Sequence, residues 1–552
     1  MISIRKIRIK NFKSIKSLEL TVNKDKTVFV GQNNAGKSNI NKAIDCAFNF
    51  KYSPSEYDVH NGINSGENCY IDIMLSADTE DKNFDFDWLM IFGDKVVKNE
   101  FGEDSFTIRT VIYQNETSKR FEIDRFPILD WNSNEFDSAN ASLPRQIRKC
   151  IGSFYLNSNR DIVDELRIRN SNFSRLMRNI NYDISHTDSS GIEKALDIVN
   201  GMILRKMPSI SDIEESLSDI STTVDNVENL HISPIPNRFN DLDKGVEIQV
   251  NNSNNILPIS VYGDGTRSWV SILTLSAYID SLRKQLALEG LPYFSTILLE
   301  EPESHLHPQA QNKIISQLDK IDAQIFVTTH SSSIVSELGV FQLFRICNDG
   351  NTELRTKSID IEEDDELKIV NFILPFYTEI LFSDIVILVE GVTDKLMVTE
   401  YIKLKMKKRP FEFGISVVAV NSKDNLPIFR QFCEIHSIKN IIYADRDAES
   451  SLMTTLTKKN LSIDDVVYTS EMDIELEIMN EQYDVCKALF ISVNKFPDQY
   501  ISKLQITGEL DNRILSFLKN NKSQYPHWLS RNIKNGFNIK SLNSVISILG
   551  RR

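Results

Sequence analysis

The stretch VFVGQNNAGKS, residues 28–38, constrains this chain more tightly than any other. An apolar, β-branched run leads into Gly31, four further residues, then Gly36, Lys37 and Ser38, after which the pattern turns helical. That G-x-x-x-x-G-K-S spacing asks for a strand, a tight loop and a helix in direct succession. The glycines let successive backbone N–H groups curl round phosphates, and the helix N-terminus adds a field that favours negative charge. Lys37 is placed to reach the β- and γ-oxygens and Ser38 to ligate Mg²⁺, with Asn33, Asn34 and Asn39 in the same loop and first helical turn. The expected ligand is ATP with Mg²⁺, and the expected fold class is α/β.

A phosphate loop needs an acidic strand beside it. STILLEEPESHLHP (295–308) supplies an apolar run ending at Glu300 and Glu301. The first carboxylate is expected to hold Mg²⁺ through water, and the second to orient or deprotonate the attacking water. Glu300 is one methylene longer than the Asp common at that position. AQIFVTTHSSS (323–333) is a further apolar run, ending at His330, which is expected to touch the γ-phosphate. Upstream, YGDGTRSWVSI (262–272) precedes a long helical pattern, so Gly263, Asp264, Gly265 and Thr266 offer N–H groups at a helix start.

At 552 residues the chain is too long for one core. Hydrophobic residues at 41% and charged residues at 25% are ordinary for a globular protein, so disorder is not the default. A net charge of −14 argues against coating nucleic acid through the overall field, although a local basic groove remains open. KLKMKKRP (403–410) is a candidate for phosphate contacts, and equally a helix C-terminus balanced by basic residues. The opening MISIRKIRIK lacks the apolar core of a signal peptide, and no apolar run approaches the ~20 residues that span a bilayer. Cys46, Cys69, Cys150, Cys347, Cys433 and Cys486 are scattered with no CxxC pair, which reads as reduced thiols of a cytoplasmic protein.

Between about 162 and 230 the apolar residues of DIVDELRIRNSNFSRLMRNI and GIEKALDIVNGMILRKM recur at helical spacing. After an acidic run at 360–368, read as a solvated linker or helix start, strand-like and helix-like segments alternate and imply a parallel sheet. IVILVEGVTDK (385–395) ends a strand on Glu390, with Asp394 at a helix start. IIYADRD (441–447) ends another on Asp445 and Asp447, and VVYTSEMDIELEI (466–478) adds Asp473, Glu475 and Glu477. As strand residues two apart, Asp445 and Asp447 would share one face roughly 7 Å apart. By itself Asp-Arg-Asp is more simply a solvated turn. The carboxyl ends of parallel strands share an edge, however, so Glu390, Asp445 and Asp447 are expected to converge. Carboxylates gathered there need a cation, and hard oxygen donors select Mg²⁺ or Mn²⁺.

The order of phosphate loop, long insertion, acidic strand and strand-terminal histidine, with the opening IRIKNFKSIKSLEL, resembles the ABC-type ATPases of the SMC, Rad50 and RecF group. Such ATPases work as head-to-head dimers closed by a glycine-containing segment of the other subunit. Here that segment matches 262–272, with Gly-Asp-Gly-Thr in place of the usual Ser-Gly-Gly. Strand-terminal Glu-Gly followed by Asp-x-Asp resembles the Toprim fold. The two in succession resemble the overcoming-lysogenization-defect (OLD) family of nucleases over nearly the whole chain, including FYLNSNRD (154–161), where the family's dimerising insertion opens.

The resemblance implies an ABC-type P-loop ATPase domain in two parts (1–161 and 236–365), a helical dimerisation insertion (162–235) and a Toprim nuclease domain with a C-terminal extension (380–552). It implies metal-dependent endonuclease cleavage of DNA, with Glu390, Asp394, Asp445, Asp447 and Glu475 holding metal. Asp394 stands where the family has Glu, and Glu471 and Glu477 are weaker alternatives to Glu475. A C-terminal lysine, Lys540 or Lys534, would stabilise the transition state. The implied partners are DNA, a second copy in a homodimer or higher homo-oligomer, and in some relatives a helicase or reverse-transcriptase element, in bacterial defence against phage. A rival expectation keeps the ATPase but makes the protein a DNA switch or clamp whose Toprim domain only binds metal. Primase or topoisomerase fits less well, since no tyrosine context marks a strand-passing nucleophile.

Overall fold

The computed structural model describes residues 2–158 and 249–550 except for short stretches, 61–67, 134–142, 358–360 and 533–536 among them. Of the expected helical insertion at 162–235, only 194–196, 198, 199 and 202 are among the described residues, so that expectation lies outside them.

Three larger sheets organise the described residues. The first is antiparallel, in the order Ile15–Thr21, Ile2–Phe12, Cys69–Ala77, Asp104–Gln114 and Val97–Lys98, with Phe121–Ile128 also paired to Asp104–Gln114. Ile2–Phe12 alternates apolar and basic residues as a half-buried strand does, yet Lys6 and Arg8 are covered too, while Lys10 is exposed. Lys6 pairs with Glu100 at 2.7 Å, and Arg8 with Glu19 at 3.1 Å, while the Arg8 guanidinium lies 4.3 Å from the centre of the Trp131 ring. On the same sheet Asp72 and Arg109, both fully buried, meet through two parallel hydrogen bonds of 2.7 and 2.8 Å.

The second sheet has Lys26–Val30 between Leu343–Asn348 and Gln324–Thr328, followed by Phe294–Glu300 and Ile151–Leu156, all parallel, with Thr352–Leu354 antiparallel at one edge. Its strands are continuous apolar runs because both faces are covered. Helix Lys37–Phe48 packs with the first sheet on one side, and helices Asp264–Leu288 and Pro308–Leu318 cover the other.

The third sheet is wholly parallel: Ile415–Ala419, Ile385–Val389, Lys439–Ala444 and Val466–Tyr468. Strand–helix alternation in this part of the sequence is thus realised as expected. A single apolar cluster runs from Val28 and Val327 of the second sheet through Ile369 and Leu374 to Val386 and Leu388 of the third and Phe429 of helix Leu426–Ile435. Arg345, only 5% exposed, adds a polar joint by donating to the carbonyls of Leu381, Ser383 and His436 at 3.0, 2.8 and 3.3 Å. The acidic run opens helix Glu363–Lys368 and is partly docked, since the buried Asp365 pairs with Lys459. All six cysteines are free thiols, and among the described residues no helix is long and apolar enough to cross a membrane.

Candidate functional site

Gly31 ends the central strand of the second sheet with φ 146°, and a Cβ there would stand 2.1 Å from the carbonyl oxygen of Ile346, so only glycine fits. Gly36, at φ 95°, caps helix Lys37–Phe48. The cavity over this loop is lined by Asn33, Asn34, Gly36, Lys37, Ser38 and Asn39, and receives Glu301 and His330 from the two neighbouring strand ends. Lys37 is buried, and its ammonium donates to Gly31 O at 2.9 Å, to Gln32 O at 2.8 Å and to His330 Nε2 at 2.8 Å. Burial pulls Lys37 down to about 8, against an opposing pull from Glu301 and Glu303. Burial, and then the charge of Lys37, also hold His330 below the usual imidazole range, and the Lys37 ammonium, which can only donate, meets Nε2 as an acceptor. Glu301 leaves its strand in the left-handed region at φ 43°, a strained turn of the kind found at functional sites, with its carboxylate 4.0 Å from His330. Glu300 is the last residue of that strand. Gly263 and Gly265 stand at the N-terminus of helix Asp264–Leu288, apart from the cavity lining, and Gly263 O already takes the N–H groups of Thr266 and Arg267.

The second constellation lies at the carboxyl edge of the third sheet. Glu390 follows Ile385–Val389, and its Oε1 accepts the Asp445 N–H at 3.0 Å, which ties two adjacent strand ends together. Asp394, in the first turn of helix Val392–Met406, accepts the Gly391 N–H at 2.9 Å. Glu475, 1% exposed, opens helix Ile474–Glu481; its Oε1 is 3.3 Å from the Tyr525 hydroxyl and 3.4 Å from Lys522 Nζ. Asp473 caps that helix and pairs with Lys519 at 2.7 Å. Burial, then Asp394, Glu390 and Glu475, lift Asp445 to about 8. Burial, then Glu475 and Glu390, lift Asp394 to about 6, and burial raises Glu390 as well. Asp445 Oδ1 is buried with no hydrogen-bond partner.

An all-oxygen donor set, mutual repulsion and one orphaned carboxylate oxygen fit a hard divalent cation. As the side chains stand, no group of three or more His, Cys, Asp or Glu among the described residues is arranged as a ligand cage. Asp394 is engaged as a helix cap, and Asp447 turns away. The strand ends at Ala444, Asp445 caps the short helical turn Arg446–Ala448, and Asp447 is exposed and paired with Lys423 at 2.9 Å. The expected shared face for Asp445 and Asp447 is therefore corrected, because a helical turn does not preserve the two-residue alternation of a strand.

A family model described as an AAA ATPase domain matches residues 2–335, and one described as the overcoming lysogenization defect protein-like TOPRIM domain matches residues 381–447. The chain belongs to the OLD family of ATPase–nucleases. It is 25% identical over 500 residues to the Old nuclease of Escherichia phage P2, covering 84% of this chain and 80% of that one. Over 476 residues it is 22% identical to the OLD nuclease of Thermus scotoductus, covering 80% and 82% of the two. Over 345 residues it is 21% identical to the endonuclease GajA of Bacillus cereus, covering 53% and 49%.

In this OLD-family chain the expected residues do not all gather. Glu477 is fully buried and accepts from the N–H and hydroxyl of Ser541 and the N–H of Ser470, which anchors the last helix rather than facing the edge. Glu471 accepts from Asn480. Lys540 starts helix Lys540–Leu549 with its side chain exposed and its N–H on Glu481, and Lys534 lies outside the described residues. Besides Lys423, the lysines that reach the carboxylates are Lys519 and Lys522, which sequence reasoning misses because a Lys-x-x-Lys pair at the end of an amphipathic helix is common. Glu303 was also missed: it accepts from the Thr329 hydroxyl and the His330 N–H at 2.7 and 2.9 Å and so fixes the histidine. Its signal is in the sequence, two residues beyond Glu301.

Proposed function

We propose that this chain is an ATP-hydrolysing, divalent-metal-dependent DNA endonuclease that acts in bacterial defence against phage. The single observation that carries the proposal is Asp445, a carboxyl lifted to about 8 by burial and then by the carboxyls of Asp394, Glu390 and Glu475, with one buried oxygen lacking a partner.

At the phosphate loop, Lys37 would exchange protein acceptors for phosphate oxygens, Ser38 and Glu300 would hold Mg²⁺, and Glu301 would take the proton of the attacking water while His330 faces the γ-phosphate. At the carboxylate edge, Mg²⁺ or Mn²⁺ when bound supplies Lewis acidity and a water of lowered pKa. Glu390, Asp394, Asp445 and Glu475 would hold the ion, Asp445 as its carboxylate. Asp447 joins them only by leaving Lys423. Lys522 and Lys519 carry positive charge to the negative charge that develops on the phosphodiester. In this scheme 1–161 and 236–365 form the ATPase, 380–552 the nuclease, and 162–235 together with Gly263–Gly265 the contacts of a cytoplasmic homodimer.

The test is incubation of the purified protein with supercoiled and linear DNA in Mg²⁺ or Mn²⁺, with and without ATP, beside Asp445→Ala. Metal-dependent nicking that disappears in the variant while ATP hydrolysis persists is the expected outcome. Nicking that survives in the variant, or DNA left intact in every condition, counts against the proposal.

A further inference from the structure

Two residues of the nucleotide site reach across the joint to one short segment, 381–384, which feeds the Toprim strand Ile385–Val389. The Gln32 side chain donates from Nε2 to Asp384 Oδ1 at 2.7 Å. The His330 ring lies 6.2 Å from the Phe382 ring, tilted by 32°. One ammonium grips both: Lys37 donates to Gln32 O and to His330 Nε2, each at 2.8 Å, and its remaining proton goes to Gly31 O. An ammonium has three protons and no more. A phosphate oxygen therefore engages Lys37 only by taking it from one of these acceptors, two of which belong to the residues that touch 381–384.

Beyond the segment the path is short and stiff. The carbonyls of Leu381 and Ser383 are held by Arg345, whose strand pairs with the phosphate-loop strand at Val30. All five residues of Ile385–Val389 are buried. Glu390 comes next, and its carboxylate holds the Asp445 N–H.

We propose that the contacts Gln32–Asp384 and His330–Phe382 transmit nucleotide binding to the carboxylate edge, with Asp384 and Phe382 acting as positioning residues for Glu390. The proposal rests on the ATPase–nuclease reading above. Linkage makes it reciprocal: whatever nucleotide does to the edge, occupation of the edge does to nucleotide affinity.

The experiment is amide hydrogen exchange on the full-length protein in Mg²⁺, with and without a saturating non-hydrolysable ATP analogue, binding being verified by titration with a fluorescent ATP analogue. In the wild type, exchange in peptides covering 385–390 and 440–447 should change by at least about fivefold on binding. Asp384→Ala and Phe382→Ala should still bind nucleotide, with affinity shifted by no more than the coupling factor, and lose most of that response. Asp384→Asn, which still offers an oxygen to Gln32, should retain it, an outcome that a merely structural role would not produce. Nucleotide bound without any change at these peptides, or an equal change in both alanine variants, overturns the coupling and leaves the DNA-cleavage result standing. Failure of the wild type to bind the analogue removes the ATPase reading and this proposal with it.

Discussion

Replacing Asp445 with Asn should give a protein that is more stable than the wild type and unable to cut. The wild-type carboxyl keeps its proton up to about 8, against 3.8 for an ordinary Asp. Below the unfolded value both states hold that proton, and the stabilisation relative to the ionised group is fully present. As the pH rises the unfolded chain releases its proton first, and native stability falls until the folded group also ionises near 8. At pH 7 the gap is on the order of 4 kcal/mol, which partial access to water reduces to about 2 kcal/mol. Asn has no proton to lose and is spared the decline. In EDTA at pH 7, the thermal transition of the Toprim part should therefore lie about 4–8 °C higher in Asp445→Asn, with the advantage shrinking as the pH approaches 5. Mn²⁺ should reverse the order, because the wild type gains binding free energy that the variant, one ligand short, does not. Calorimetry at pH 5 and 7, in EDTA and in Mn²⁺, reads all four conditions. A variant less stable than the wild type in EDTA at pH 7, or one whose advantage is the same at both pH values, would refute the reasoning.

Glu301→Gln should slow ATP hydrolysis by about 10²- to 10⁴-fold while nucleotide still binds; a parallel loss of affinity would make Glu301 a binding residue instead. Lys37→Ala should abolish binding of a fluorescent ATP analogue and leave the thermal transition of the Toprim part in place. Asp72→Ala takes the carboxylate away from the fully buried Arg109 guanidinium, so urea unfolding should report a loss of about 3–5 kcal/mol. Lys522→Met should depress DNA cleavage by about 10²-fold with Lys540→Met close to wild type, and the opposite ranking would return the transition-state role to Lys540.

The parts of the molecule that sequence makes legible are those where backbone geometry dictates residue type. Gly31 and Gly36 adopt positive φ, and Gly31 is also pressed against Ile346 O, so the loop can hardly be written otherwise. Glu300, Glu390 and Asp445 are legible because a buried parallel strand is an apolar run, and a carboxylate at its end marks where the run meets the functional edge. Asp447 is misjudged because its direction is set at a distance: Thr469, from beyond the next strand, accepts the Arg446 N–H and helps shape the turn that aims Asp447 at Lys423. Lys519 and Lys522 reach the edge through packing of helix Leu510–Asn520 onto the Toprim core, which no local pattern announces. Arg345 is hidden for the same reason, being one basic residue in LFRICN whose three acceptors all lie in later segments of the chain.

That guanidinium also fixes the kinematics of the protomer. Swinging the ATPase away from the Toprim sheet would give up three hydrogen bonds from a permanent charge, each contributing about 1.5–3 kcal/mol, and would expose an apolar cluster shared by both sheets to water. Arginine does not deprotonate in proteins, so no physiological pH unlocks the contact. The two enzymatic halves of one chain are welded rather than hinged and turn as one lever. In the homodimer proposed above, strokes large enough to admit or release a DNA duplex would then belong to the approach of one copy toward another, while nucleotide would act within a copy by small elastic strain along a single strand.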